Sequence, residues 1–161
     1  MMGPVVAVIG GSSPTAEEAS LAEGVGRALA EAGAVLVCGG YGGVMEAACR
    51  GAKEAGGLTI GILSGSDESE ANPYVDVAIV TGIGHARNAI ITRTAKVAIA
   101  VGGSYGTLSE IGFALGFDKP VVGLQTWSME RSGHPSVPII RAETPEQAVR
   151  EALAQLQERG G

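Results

Sequence analysis

Aromatic residues are scarce, at 4% of the 161-residue chain with a single Trp, and charged residues reach only 17%. The two cysteines, Cys38 and Cys49, match no CxxC or Cys/His spacing, which argues against a zinc site or a disulfide framework. Cys38 ends an apolar run, the usual setting of a buried thiol, and no metal is expected. Bases are outnumbered: 11 Lys and Arg against 17 Asp and Glu leave a net charge of -6. That balance works against a broad footprint on nucleic acid or anionic membrane, so neither is an expected partner. Long apolar runs are missing too. The longest stretch free of Asp, Glu, Lys and Arg, Met1 to Ala16, is broken by Pro4, Ser12, Ser13 and Pro14. It falls short of the roughly 18 to 20 apolar residues of a bilayer span. It also lacks the basic start and cleavage site of a signal peptide, so a cytoplasmic location is expected.

What the chain has in plenty is apolar residues, at 45%, and glycine, at 26 positions. A chain of this length can bury a core without covalent staples, and one domain over residues 1–161 is expected. Val5 to Ile9, Ala34 to Cys38, Leu58 to Leu63, Val77 to Val80, Val97 to Val101 and Val121 to Leu124 are short, continuously apolar and rich in Val and Ile. Such runs predict strands covered on both faces, with a further short strand around Val137 to Arg141. Between them, Ala22, Val25, Gly26 and Leu29 share one helical face, as do Val149, Ala152, Leu153 and Leu156. Thr15 with Glu18, Thr107 with Glu110, and Thr144 with Gln147 have capping-box spacing, the last with Pro145 at the first helical position. Alternating strands and helices predict a Rossmann-like, doubly wound α/β fold with a mostly parallel sheet and helices on both faces. Ser64 to Pro73 and Gln125 to Pro138 read as loops long enough to rim a site.

In such a sheet the ligand sits beyond the carboxyl ends of the strands. Three loops there are rich in glycine: Gly10-Gly11-Ser12-Ser13, Gly39-Gly40-Tyr41-Gly42-Gly43, and Gly102-Gly103-Ser104-Tyr105-Gly106-Thr107. Glycine lets backbone NH groups approach an anion, and the following helix adds the positive end of its dipole, so phosphate is the natural guest. None of the loops is GxGxxG, since the pattern from Gly40 ends on Met45, and no GxxxxGK[ST] occurs. A standard NAD site and a P-loop are therefore not expected. Beside the third loop stand Glu110 and, from the preceding helix, His85, Arg87 and Asn88. Glu110 could close a capping box with Thr107 or face a ligand. Arg87 is a surface residue or a clamp on phosphate and ribose, and His85 has the position of a helix cap.

The segment Gly102 to Glu110, GGSYGTLSE, resembles the PGGxGTxxE motif of the LOG superfamily, often mislabelled lysine decarboxylases. The resemblance extends over nearly the whole chain: Gly10 to Ser13 is similar to the family's first-strand GSS loop, and Gly43-Val44-Met45 to its GLM segment. It implies that Arg87 and Glu110 act in cleaving an N-glycosidic bond of a nucleoside 5'-monophosphate. The implied ligand-binding set is Gly11, Ser12 and Ser13; Gly40, Gly42, Gly43 and Met45; Asn88; and Gly102, Gly103, Ser104, Tyr105, Gly106 and Thr107. Departures point elsewhere in the superfamily. Val101 replaces the motif's Pro, Asn88 replaces the Lys of an Arg-Lys pair, Glu46 stands where a Gly usually follows the Met, and the loop before that Met is one residue shorter. These features resemble the short branch that includes the molybdenum cofactor carriers.

Two readings stay open on this basis. One is a carrier or sensor of a phosphorylated nucleotide-like or pterin-like metabolite, with a bound nucleotide or molybdopterin-type ligand and no required cofactor. The other is a phosphoribohydrolase, in which Glu110 stabilises an oxocarbenium-like centre and Arg87 holds ribose and phosphate. The apolar character of Leu108, Ile111, Phe113, Ala114, Leu115 and Phe117 around one helix predicts a homodimer or a dimer of dimers.

Overall fold

Alternating side chains along each short strand feed two cores, one on either face of a single sheet. The computed structural model describes residues 2–160. In chain order the elements are β1 (Val5–Gly10), α1 (Ala16–Glu31), β2 (Val35–Cys38), α2 (Val44–Glu54), β3 (Thr59–Leu63), β4 (Val77–Val80), α3 (Arg87–Thr94), β5 (Val97–Val101), α4 (Tyr105–Gly116), β6 (Val121–Leu124), β7 (Ile139–Arg141) and α5 (Pro145–Gly160), with 3₁₀ turns at Glu68–Glu70 and Gly84–Ala86. The seven strands lie in the order β4-β3-β2-β1-β5-β6-β7. Every pairing is parallel. The Rossmann-like α/β class read from the sequence is the observed fold.

Val6 and Val8 of β1 point to the face covered by α1, α2 and α5, where they meet Val25, Leu29, Val44, Ala48 and Val149. Ala7 and Ile9 point to the other, covered by α3 and α4 through Ile91, Ile111 and Ala114. On the first face α1 and α2 approach backbone to backbone. A Cβ on Gly26 would fall on the Ala48 carbonyl, and one on Gly51 on the Glu23 carbonyl. Both positions need glycine for that close approach.

At two helix starts the expected Thr cap forms without the reciprocal half of a capping box, since the Glu18 carboxylate does not reach back to Thr15 N–H and the Gln147 amide bonds one residue beyond Thr144. Glu18 N–H donates to Thr15 Oγ1 at 3.1 Å, and Gln147 N–H donates to Thr144 Oγ1 at 3.1 Å while Gln147 Oε1 accepts from Glu143 N–H. The third differs. Helix α4 begins at Tyr105 with Ser104 as its cap, and Thr107 Oγ1 accepts from Ser104 N–H at 3.2 Å. Thr107 therefore occupies the third helical position, and Glu110 lies inside the helix, beyond the reach of any cap. The expectation that Val77 to Val80 is covered on both faces also fails: Val77 is 46% and Ile79 45% exposed, because β4 is an edge strand beyond the span of α3. No helix among the described residues is long and apolar enough to cross a membrane.

Candidate functional site

The chain leaves β1 in one direction through β2, β3 and β4, then returns to lay β5 along the other side of β1. Loops leaving neighbouring strands in opposite directions open a crevice at their carboxyl ends. A cleft of about 340 Å³ occupies this switch point, walled by Gly10 and Ser12 after β1, Gly39 and Tyr41 after β2, Ser64 after β3, and the first turns of α3 and α4. Its size lies at the lower end of the roughly 300–1,000 Å³ of small-molecule sites.

Arg87, the first residue of α3, is buried and rigidly held. Its Nη1 donates to the Ile62 carbonyl at 2.9 Å, and its guanidinium stands 5.4 Å from the centre of the Tyr41 ring. Tyr41 is itself tied down, with its hydroxyl 3.0 Å from Ser64 Oγ and accepting from Gly65 N–H at 2.9 Å. Gly39 makes room for this arrangement, since a Cβ there would displace Arg87 Nη1 and Met45 Sδ. Arg87 Nε is buried with no partner. An orphaned buried donor costs about 1–3 kcal/mol.

Glu110 faces the same cleft from α4 and is equally buried. Burial pushes its carboxyl up to about 7, and the positive charge of Arg87 offsets only part of that. Asn88 links the two helices: its Nδ2 donates to Ser109 Oγ at 3.2 Å, which in turn donates to the Gly106 carbonyl at 2.7 Å. The helices carrying Arg87 and Glu110 are thus held in register at their site ends.

Of the residues singled out from the sequence, Ser12, Met45, Arg87, Asn88, Ser104, Gly106, Thr107 and Glu110 line the cleft. Others shape it from behind. Gly43, at φ 71, caps α2 with no room for a Cβ beside the Gly11 carbonyl, which accepts from Val44 N–H at 3.0 Å. Gly40, at φ 81, packs on Leu63 and Gly61. Ser13 and Gly42 are exposed and do not line the cleft. Gly102 and Gly103 border a second, neighbouring cleft, and Tyr105 stacks on Trp127 with ring centres 6.0 Å apart. Gly39 and Tyr41 lie in the second glycine-rich loop and Ser64 opens a loop expected to rim the site; all three line the cleft, although the sequence does not single them out individually. An aromatic inside a glycine loop was the available signal for Tyr41. His85, read there as a cap, reaches the cleft wall.

A family model described as the SLOG cluster4 family matches residues 3–149. The chain belongs to the SLOG cluster4 family. This family member superposes on the molybdenum cofactor binding protein of Rippkaea orientalis with a TM-score of 0.87 and 36% identity, over 97% of this chain and 99% of that one. The molybdenum cofactor carrier protein of Chlamydomonas reinhardtii gives 0.83 and 35%, again over 97% and 99% of the two chains. The cytokinin riboside 5'-monophosphate phosphoribohydrolase of Mycobacterium tuberculosis is 34% identical over 132 residues, 76% of this chain and 71% of that protein.

Proposed function

We propose that this protein binds a phosphate-bearing pterin of the molybdenum cofactor class in the switch-point cleft and serves as its carrier or sensor in the cytoplasm. The observation that carries the reading is the likeness, over almost the entire chain, to two molybdenum cofactor proteins. The cleft's chemistry fits an anionic guest. In the first turn of α4 the backbone NH groups of Tyr105 and Gly106 have no acceptor within the helix, and the helix dipole adds positive potential there. Ser104 and Thr107 bring hydroxyls to the same turn, and Arg87 Nε lacks an acceptor. The phosphate is assigned to Gly103–Thr107, with Gly10, Ser12, Gly39, Tyr41 and Met45 on the opposite wall. Calorimetric titration with inorganic phosphate and with molybdopterin tests the proposal. Wild type binds both, and Gly106→Asp, which sets a carboxylate where space is open around Gly106, binds neither. Equal binding by the two proteins would place the site elsewhere.

One observation favours the hydrolase reading: a buried carboxyl near 7 beside a buried guanidinium. A carboxyl so placed can serve as base or oxocarbenium stabiliser. The departure at Asn88 removes the cation that would hold such a carboxylate ionised. Chromatography of AMP, GMP, CMP and UMP incubated with the protein separates the readings. Carriage predicts no free base. Release that vanishes in Glu110→Gln would assign hydrolysis instead.

A further inference from the structure

The glycine turn after β5 has a cleft on each side. The second, of about 310 Å³, is walled by Glu18, Gly102, Gly103, Gln125, Thr126 and Trp127. It shares its rim with the first, because Gly103 borders one and Ser104 the other. We propose that this second cleft binds the 2-amino-4-oxopyrimidine edge of the ligand's ring system, with Glu18 as the residue that selects it. This rests on the phosphate reading above and names which ring that phosphate brings with it.

Three observations meet there. The first is an aromatic platform. Trp127 Nε1 donates to the Ser104 carbonyl at 3.1 Å, which fixes the indole over the turn, and Tyr105 stacks on it while remaining 82% exposed. A flat heteroaromatic ring can stack on such a surface. The second is a carboxylate with no partner of its own: Glu18 makes no ion pair or side-chain hydrogen bond among the described residues, and its carboxylate lies where Gly102 has no Cβ. Its neighbour Glu17, by contrast, accepts from Gln125 Nε2 at 2.7 Å.

The third is backbone strain. Gln125 sits at φ 50, held there as Thr126 Oγ1 donates to the Gly102 carbonyl at 2.6 Å and Gly102 N–H donates to the Leu124 carbonyl at 3.0 Å. Glycine would occupy this conformation without strain. The Gln125 side chain, set in this conformation, donates to Glu17 and forms one wall of the cleft.

A carboxylate accepts two parallel hydrogen bonds from a ring N–H and an adjacent exocyclic amine. Pterins and guanine carry that pair of donors on one edge, whereas adenine does not. The cleft therefore discriminates between rings by hydrogen-bond pattern, independently of the phosphate they carry.

GMP has the donor pattern, AMP lacks it, and inorganic phosphate has no ring, so calorimetry with these three probes tests the assignment. Wild type should bind GMP at least roughly tenfold more tightly than AMP, a difference of about 1.4 kcal/mol. Glu18→Gln should erase that preference and leave phosphate affinity unchanged. Trp127→Phe should weaken GMP more than it weakens phosphate, and the emission of the single Trp should respond more strongly to GMP than to phosphate. Equal affinity for GMP and AMP, or full retention of GMP preference in Glu18→Gln, with phosphate still bound, would overturn this inference and leave the anion site standing. If no phosphate-bearing probe binds at all, the anion site falls and this inference falls with it.

Discussion

Glu110 is buried beside Arg87, and its carboxyl rises from an ordinary 4.5 to about 7 in the folded protein. A group that binds its proton more tightly when folded stabilises the fold fully below its unfolded value, and that contribution is lost as pH rises through the folded one. For Glu110 the window runs from about 4.5 to about 7, and a shift of this size corresponds to about 3 kcal/mol at full extent. Glu110→Gln keeps the shape and removes the titration. Urea unfolding at pH 5 and pH 8 should show wild type losing stability toward pH 8 by up to that amount, while the variant shows a flatter profile. An unchanged pH slope in the variant would show that another group sets it. At this scale the sequence was informative about chemistry and poor about neighbours. Arg87, Asn88 and Glu110 were legible as polar residues beside a glycine loop. Tyr41 and Gly39 were legible only as members of a glycine-rich loop, because their connection to Arg87 crosses from β2 to α3 and depends on how the chain folds back.

Helix and strand boundaries followed local signals wherever those signals were local. The Val/Ile runs became strands, and Thr15 and Thr144 became caps, since each depends on residues three or four positions away. The start of α4 was misread because Thr107 serves the cap at Ser104 rather than acting as one. Coverage of β4 was misread because an apolar run carries no information about whether a helix lies above it. Gly43 shows how an element end shapes the site. At φ 71 and ψ −131 it turns the chain into α2, and a Cβ there would strike Gly11 and Ser12. Gly43→Ala should destabilise the protein by at least about 2 kcal/mol, from strain at a glycine-only conformation together with overpacking. A denaturation midpoint unchanged from wild type would contradict this.

At the scale of the molecule, one small apolar face on the helix side of the sheet remains uncovered. On the α3–α4 side Ile90 is 37% and Phe113 38% exposed, with Phe117 stacked on Phe113 and the Arg93 guanidinium 4.0 Å from the Phe117 ring centre. The outer face of α4 proves less uniformly apolar than its composition suggested, because Ser109, Gly112 and Gly116 share it. It is still the surface on which we propose a second copy docks. Light scattering at about micromolar concentration should give at least twice the 16.1 kDa of one chain, and Phe113→Glu should return it to the monomer. A wild-type monomer would refute the assembly.

The contact of α1 with α2 through Gly26 and Gly51 bears on how proteins of this design diversify. Helices joined backbone to backbone tolerate little change, and they carry β1, β2 and the loops after them as one block. The 125–138 segment hangs from the ends of β6 and β7 and has no such bond to the block beyond Gln125 and Glu17. It is bonded instead to the phosphate turn, where Thr126 Oγ1 donates to the Gly102 carbonyl and Trp127 Nε1 to the Ser104 carbonyl. A lineage that rewrites this loop therefore acts on the ring platform and the phosphate turn together, while the α1–α2 block that carries Glu18 stays as it is.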